Sequence, residues 1–140
     1  MDEPVFSASI DILPPSVNKM YVYTTRGPRP SGEMKKFKAK ASAQLAKQVD
    51  FNAKPLDENS PYEVFLDFYL PALVNKGWPK KAKTKYKRKD VSNLVKVVED
   101  LISKCLGVDD SCFLRLHIEK HDGSASEFTG VRIRVYEFNE

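Results

Sequence analysis

The chain is poor in the residues that carry several common chemistries. It has two cysteines, Cys105 and Cys112, in 140 residues. They flank the Gly107-Val108-Asp109-Asp110 turn, too few and too far apart for a disulfide framework or a CxxC metal pair. Reduced thiols in a cytoplasm are the expectation. Long apolar runs are lacking too, since none approaches the roughly 20 residues that cross a bilayer, and Met1-Asp2-Glu3-Pro4 is acidic where a signal peptide would be basic. No membrane partner is expected, and the protein reads as soluble and intracellular. The sequence holds no Walker loop, no GxGxxG, no zinc spacing and no Ser/His/Asp arrangement. Its two histidines, His117 and His121, lie on and at the end of an apparent strand without a metal-box partner and read as structural or exposed.

What is present is uneven charge. The net charge of +4 is modest, but Lys76 to Lys89 holds eight basic residues and no acidic one: Lys76, Lys80, Lys81, Lys83, Lys85, Lys87, Arg88 and Lys89. Local clustering matters more than the total for attraction of a polyanion. Trp78 and Tyr86 lie within or beside these cations. Such a segment can bind a phosphate backbone through counterion release and stack on exposed bases. A charge-dense stretch can also be a solvated surface loop, but the interleaved aromatics favour nucleic-acid binding, by a loop at about 72–89 that is mobile until its partner binds.

One core is all that 140 residues comfortably support, so a single domain is expected. Val5 to Leu13 alternates as a half-buried strand, stopped by Pro14-Pro15. A Pro, Gly and Arg-rich loop is expected from Pro14 to about Gly32. Ser31 then reads as the cap of an amphipathic helix over Glu33 to Val49, with Met34, Phe37, Ala41, Leu45 and Val49 on its apolar face. Tyr62 to Leu70 alternates as a second strand. A second helix over Val91 to Lys104 puts Val91, Leu94, Val95, Val98, Leu101 and Ile102 on one face and Asn93, Lys96, Asp100 and Lys104 on the other. Asp90 stands where it can cap that helix, and Gly107 where it can end it. Strands from Phe113 and Val131, joined by a hairpin loop around Asp122 to Gly130, complete a β-α-β-loop-α-β-β order. The class is α+β, a mixed sheet packed by two helices.

The basic segment runs directly into Asp90-Val91-Ser92-Asn93-Leu94-Val95-Lys96, followed by Asp100 and by Asp109-Asp110. Phosphodiester hydrolysis needs a nucleophilic water, charge neutralisation on the phosphate and stabilisation of the leaving oxygen, all of which Mg²⁺ can supply. Hard cations take oxygen ligands. Asp90, Asp109 and Asp110 are the candidate metal ligands, Asn93 and Asp100 supporting groups, and Lys96 a phosphate or water contact. On spacing alone, Lys96 and Asp100 are just as well an i,i+4 surface ion pair, Asp90 a cap and Asp109-Asp110 a turn.

Pro14-Pro15-Ser16-Val17-Asn18 after the first strand, Asp90 to Lys96 entering a helix, Asp100, and Asp109-Asp110-Ser111 beyond it resemble the RusA family of Holliday junction resolvases. The resemblance implies a homodimeric, Mg²⁺-dependent endonuclease of α+β fold, with Mn²⁺ as a substitute ion. Four-way junction or branched DNA is the implied partner, cut in symmetrically related strands. It assigns catalysis to Asp90, Lys96 and Asp110, with Asp109 beside it, and places Asn18 with the basic side chains on DNA. The second carboxylate of the family's DxDN motif falls at position 92, which is Ser92 here. A hydroxyl can touch a metal-bound water but adds no charge, so the site is altered, not lost. A small stand-alone member suits a phage, acting in the host cytoplasm. A branched-DNA binder that does not cut, and an RNA-binding module, are the competing readings.

A helix over Val91 to Lys104 is about 20 Å long and separates Asp90 from Asp110. Either the chain returns tightly after Cys105, or an antiparallel helix pairing between two subunits brings Asp90 of one near Asp110 of the other.

Overall fold

Tyr62–Leu70 (β4) has the strictest alternation in the chain, with every second side chain fully buried and the others half-buried. That pattern belongs to an interior strand covered on one face. In the computed structural model, which describes residues 3–50, 53, 55–87 and 91–138 and leaves the Val17 and Asn18 side chains outside the description, β4 is indeed interior. The strand order is β1-β6-β4-β5, with β1 at Phe6–Ile10, β5 at Phe113–Asp122 and β6 at Gly130–Glu137. β4 is antiparallel to β6 and parallel to β5, so the sheet is mixed as expected. Between them run α1 (Val17–Met20), β2 (Tyr21–Thr24), β3 (Gly27–Pro30), α2 (Gly32–Gln48), α3 (Ser92–Leu106) and α4 (Gly123–Ser126).

The parallel pair corrects one expectation. β5 and β6 are consecutive strands but not a hairpin, because β4 lies between them. A parallel partner needs a long crossover, and α3 supplies it between β4 and β5. Asp122 then caps α4 by accepting from Ser124 N at 3.0 Å, and the chain passes over β4 to begin β6. Gly123 and Gly130 permit that passage, since a Cβ at Gly123 would lie 2.3 Å from the Phe128 carbonyl oxygen and one at Gly130 1.9 Å from that of Ile10.

A second difference lies in the expected loop from Pro14 to Gly32, which contains α1 and a two-stranded hairpin of β2 and β3. Tyr21-Val22-Tyr23-Thr24 has the β-branched and aromatic content of a strand. Gly27 at φ +104° makes the turn, and Thr24 Oγ1 donates to the Gly27 carbonyl at 2.8 Å.

α2 and α3 cover one face of the sheet. Ser31 caps α2 as expected by accepting from Met34 N at 3.1 Å, and Met34, Phe37, Ala41 and Leu45 are buried. α3 buries Leu94, Val95, Val97, Val98, Leu101 and Ile102. Its N-cap position is Val91, and Asp90 lies outside the described residues. The other sheet face carries a half-exposed aromatic layer: Phe65 stacks on His117 with ring centroids 4.2 Å apart and Tyr69 on His121 at 4.7 Å. Arg134 and Arg132 lie over Phe65 and Tyr69. Among the described residues no helix is long and apolar enough to cross a membrane.

Candidate active site and nucleic-acid interface

Hydrophobic periodicity orients α3 and thereby sets what it offers to solvent. With its apolar side chains packed inward, Ser92, Asn93 and Lys96 are exposed and Asp100 is half-exposed on the opposite side. At the other end, Gly107 adopts a left-handed conformation at φ +70° and donates its N–H to the Ser103 carbonyl, which caps the helix. Ser103 Oγ donates to the Val108 carbonyl at 2.6 Å, and Val108 is buried. The chain is thus folded back on α3. Asp109 Oδ1 accepts from Ser111 N at 2.9 Å and opens a single 3₁₀ turn, Asp110–Cys112.

This return delivers Asp110 to the second turn of α3. Lys96 Nζ donates to Asp110 Oδ2 at 3.0 Å and lies 3.3 Å from Asp100 Oδ1. Of the two routes weighed for closing the gap along the helix, the tight intrachain return is therefore present for Asp110. The ammonium sits between two carboxylates, and those hydrogen bonds, Asp110 foremost, raise the Lys96 pKa. Burial and then the Asp110 charge push Glu99 up. The backbone and side-chain hydrogen bonds from Ser111 hold Asp109 low. Carboxylates of Asp100, Asp109 and Asp110 thus lie around or near the Lys96 ammonium, and carboxylate oxygens are the donors a hard divalent cation takes.

Lys96, Asp100, Ser92 and Asn93 line one cleft of about 230 Å³ together with Met20, Tyr21, Lys38 and Val97. Tyr21 and Lys38 were not found by sequence reasoning. Neither belongs to a motif: Lys38 is one of several lysines on α2, and Tyr21 was assigned to a loop. Arg88, Lys89 and Asp90 lie outside the described residues, as does the Asn18 side chain.

Lys76, Lys80, Lys81, Lys83, Lys85 and Lys87 are exposed on the segment between β4 and α3. Its base is closed by a bridge between Val74 and Tyr86, by Asn75 N donating to the Lys85 carbonyl at 2.8 Å, and by the Asn75 side chain donating to the Thr84 carbonyl at 2.9 Å. Lys85 Nζ lies 5.6 Å from the Trp78 ring centroid and 5.5 Å from that of Tyr86. Trp78 and Tyr86 are themselves exposed, as stacking on bases requires.

The histidines are not isolated. His121 Nε2 lies 2.9 Å from Asp67 Oδ1 and 3.3 Å from Glu119 Oε2, and His117 Nε2 lies 2.7 Å from Glu63 Oε2. Among the described residues, Asp67, Glu119 and His121 form the set of acids and histidine whose ligand atoms converge within 4.8 Å. They occupy the sheet face away from α2 and α3, and Arg134 approaches Asp67 to 3.7 Å. Sequence reasoning missed them because the parallel register of β4 and β5 aligns them. Cys105 packs against the core, and the Cys112 thiol donates to the Glu58 carbonyl at 3.1 Å.

A small α+β domain with a lysine between carboxylates, preceded in the chain by an exposed loop of lysines and aromatics, has the composition expected of an enzyme acting on a phosphodiester backbone. The sequence model of the family described as endodeoxyribonuclease RusA matches residues 11–136, and the chain belongs to that family. It is an endodeoxyribonuclease of the crossover-junction type. No curated protein matches the chain.

Proposed function

We propose that this protein is a Mg²⁺-dependent, structure-selective endonuclease that resolves Holliday junctions as a homodimer. It cuts symmetrically related strands in recombination and repair, in the cytoplasm of its cell or, for a phage protein, of the host. The observation that carries the reading is Lys96 held between Asp100 and Asp110 at the head of α3, directly after the basic loop.

Carboxylate oxygens suit a hard cation, and Asp110, Asp109 and Asp90 would hold it, with Asn93 and Ser92 as supporting groups. When bound, Mg²⁺ supplies charge neutralisation and an activated water. Mn²⁺ fits the same donors. Lys96, protonated well beyond neutral pH, places a fixed positive charge for a phosphate oxygen, and Asp100 and Asp110 hold its ammonium in position. Asp109 serves the turn as well as the site, because its hydrogen bond from Ser111 sets the direction in which Asp110 points. Asn18 and the lysines of the 72–89 loop, with Arg88, hold the junction arms through phosphates. That loop orders further on the DNA.

Ser92 favours a second reading, a branched-DNA binder with faded cutting. A labelled four-way junction with Mg²⁺ or Mn²⁺ separates the two. Paired symmetric nicks by the wild type and none by Asp110→Asn are expected. Binding without nicks in both would sink the enzyme assignment.

A further inference from the structure

The two edges of the four-stranded sheet are treated very differently. Along β1, Gln48 Oε1 accepts from Ser9 N at 2.8 Å while its Nε2 donates to the Ser9 carbonyl at 2.8 Å, and Gln44 Oε1 accepts from Asp11 N at 3.0 Å. Glutamine side chains from α2 thus occupy backbone groups that another strand would otherwise use. At the opposite edge β5 has ten residues and, among those described, pairs with β4 alone.

An uncovered edge in a soluble protein is ordinarily short, bulged or broken by proline and inward-facing charge. β5 has one register irregularity, at Leu114 near its start, and beyond it runs regularly from Arg115 to Asp122. It carries Leu114, Leu116 and Ile118, with 53%, 39% and 41% of their surface exposed. Leu116 and Ile118 stand on the helix-covered side of the sheet, since they pair with the buried Val64 and Leu66, and among the described residues they are only partly covered. On the other side of the same strand lie Arg115, His117 and Glu119, with Arg115 and Glu119 side chains 62% and 69% exposed.

The spacing of these residues is self-complementary. An antiparallel pairing of β5 with another β5, about a two-fold axis normal to the sheet at His117, sets Arg115 across from Glu119 twice. It also sets Leu116 across from Ile118 twice. Opposite charges and apolar pairs directly across an antiparallel ladder are the favourable combinations. A two-fold at Leu116 would place Arg115 against His117 and Glu119 against Phe113, losing both charge pairs.

We infer that the β5 edge is the interface with a second copy of this chain, in the register centred on His117, so that two four-stranded sheets become one. This rests on the homodimer stated under the proposed function and names its contact. The apolar side chains of α3 pack in its own core, so this contact uses the sheet edge and not the apolar face of that helix. The same two-fold relates two copies of the Lys96 and Asp110 site, one for each strand of a symmetric junction.

Sedimentation over a range of concentrations tests the contact. The wild type is expected to dimerise, and Leu116→Lys/Ile118→Lys to sediment as a monomer with wild-type circular dichroism. Arg115→Glu and Glu119→Arg should each weaken dimerisation on the order of tenfold, while the double exchange restores it, because the pair is re-formed with its signs reversed. Should the lysine variant fail to fold, His117→Cys gives an independent reading. Two cysteines facing each other across the axis fall within disulfide range and should cross-link under mild oxidation, where the wild type with Cys105 and Cys112 does not. A dimeric wild type whose charge exchange gives no rescue and whose His117→Cys gives no cross-link overturns the edge pairing and leaves the homodimer standing. A wild type that is monomeric at every concentration, with and without junction DNA, overturns both.

Discussion

Lys96 Nζ donates to Asp110 Oδ2 across 3.0 Å although fourteen positions separate them. The contact exists because Gly107 and Ser103 turn the chain back along α3, and it converts two unremarkable surface residues into one charged site. Asp110→Asn is therefore expected to lower junction cleavage by on the order of 10²–10³-fold while leaving junction affinity within a few-fold. Single-turnover cleavage beside a gel-shift titration measures both. Equal losses in binding and cleavage would place Asp110 in DNA contact instead.

Metal binding should appear in stability as well as in activity. A ligand that binds only the folded state stabilises it by about 2.7 kcal/mol at a hundredfold excess over Kd. Mg²⁺ is expected to raise the wild-type Tm, to do so much less for Asp110→Asn, and to act undiminished on Asp67→Asn. The reverse pattern would move the cation to Asp67, Glu119 and His121 on the far face of the sheet.

Glu99 gives a pH dependence with a defined sign. Burial, then the Asp110 charge, raises its pKa in the folded chain. A raised carboxyl contributes stability that is complete below its unfolded value and is lost as pH rises through the folded one. Glu99→Gln should thus be more stable than wild type near pH 7, by under about 1 kcal/mol after solvent screening, and show no such advantage near pH 3. Thermal melts across that range decide it.

The loop lysines should act through phosphates. Lys81→Ala and Lys85→Ala are each expected to weaken junction binding and to make the slope of log K against log salt shallower by about 1. Lys85→Ala also removes the cation from the Trp78 and Tyr86 rings. Affinity titrations at three or more salt concentrations give the slopes, and an unchanged slope would assign the side chain to solvent.

Among the glycines, Gly130 leaves the least room for a side chain. Its φ of +148° and the 1.9 Å approach of a built Cβ to the Ile10 carbonyl leave no local adjustment that keeps β1 against β6. Gly130→Ala should cost more than about 2 kcal/mol in urea unfolding.

Periodicity made the main elements legible. The alternation of β4, the apolar faces of α2 and α3 and the Ser31 cap follow from residue order alone, because a side chain's direction within a strand or helix depends only on its neighbours in sequence. The hairpin of β2 and β3 was hidden by prolines that an edge strand tolerates and an interior strand does not. Motif and charge single out Asp110, Lys96 and the basic loop as candidates, and the fold brings the first two into contact. They did not reveal Tyr21 or Lys38, whose side chains reach the cleft from elements with no motif of their own.

By itself, then, the sequence determined an α+β domain, a lysine-rich arm and the family of its acidic cluster. Only the tertiary structure decided which residues meet. The pairing of β4 with β5, not of β5 with β6, depends on contacts between segments far apart in the chain. That choice aligned Asp67 with Glu119, freed an apolar edge at Leu116 and Ile118, and let the Gly107 turn carry Asp110 back to Lys96.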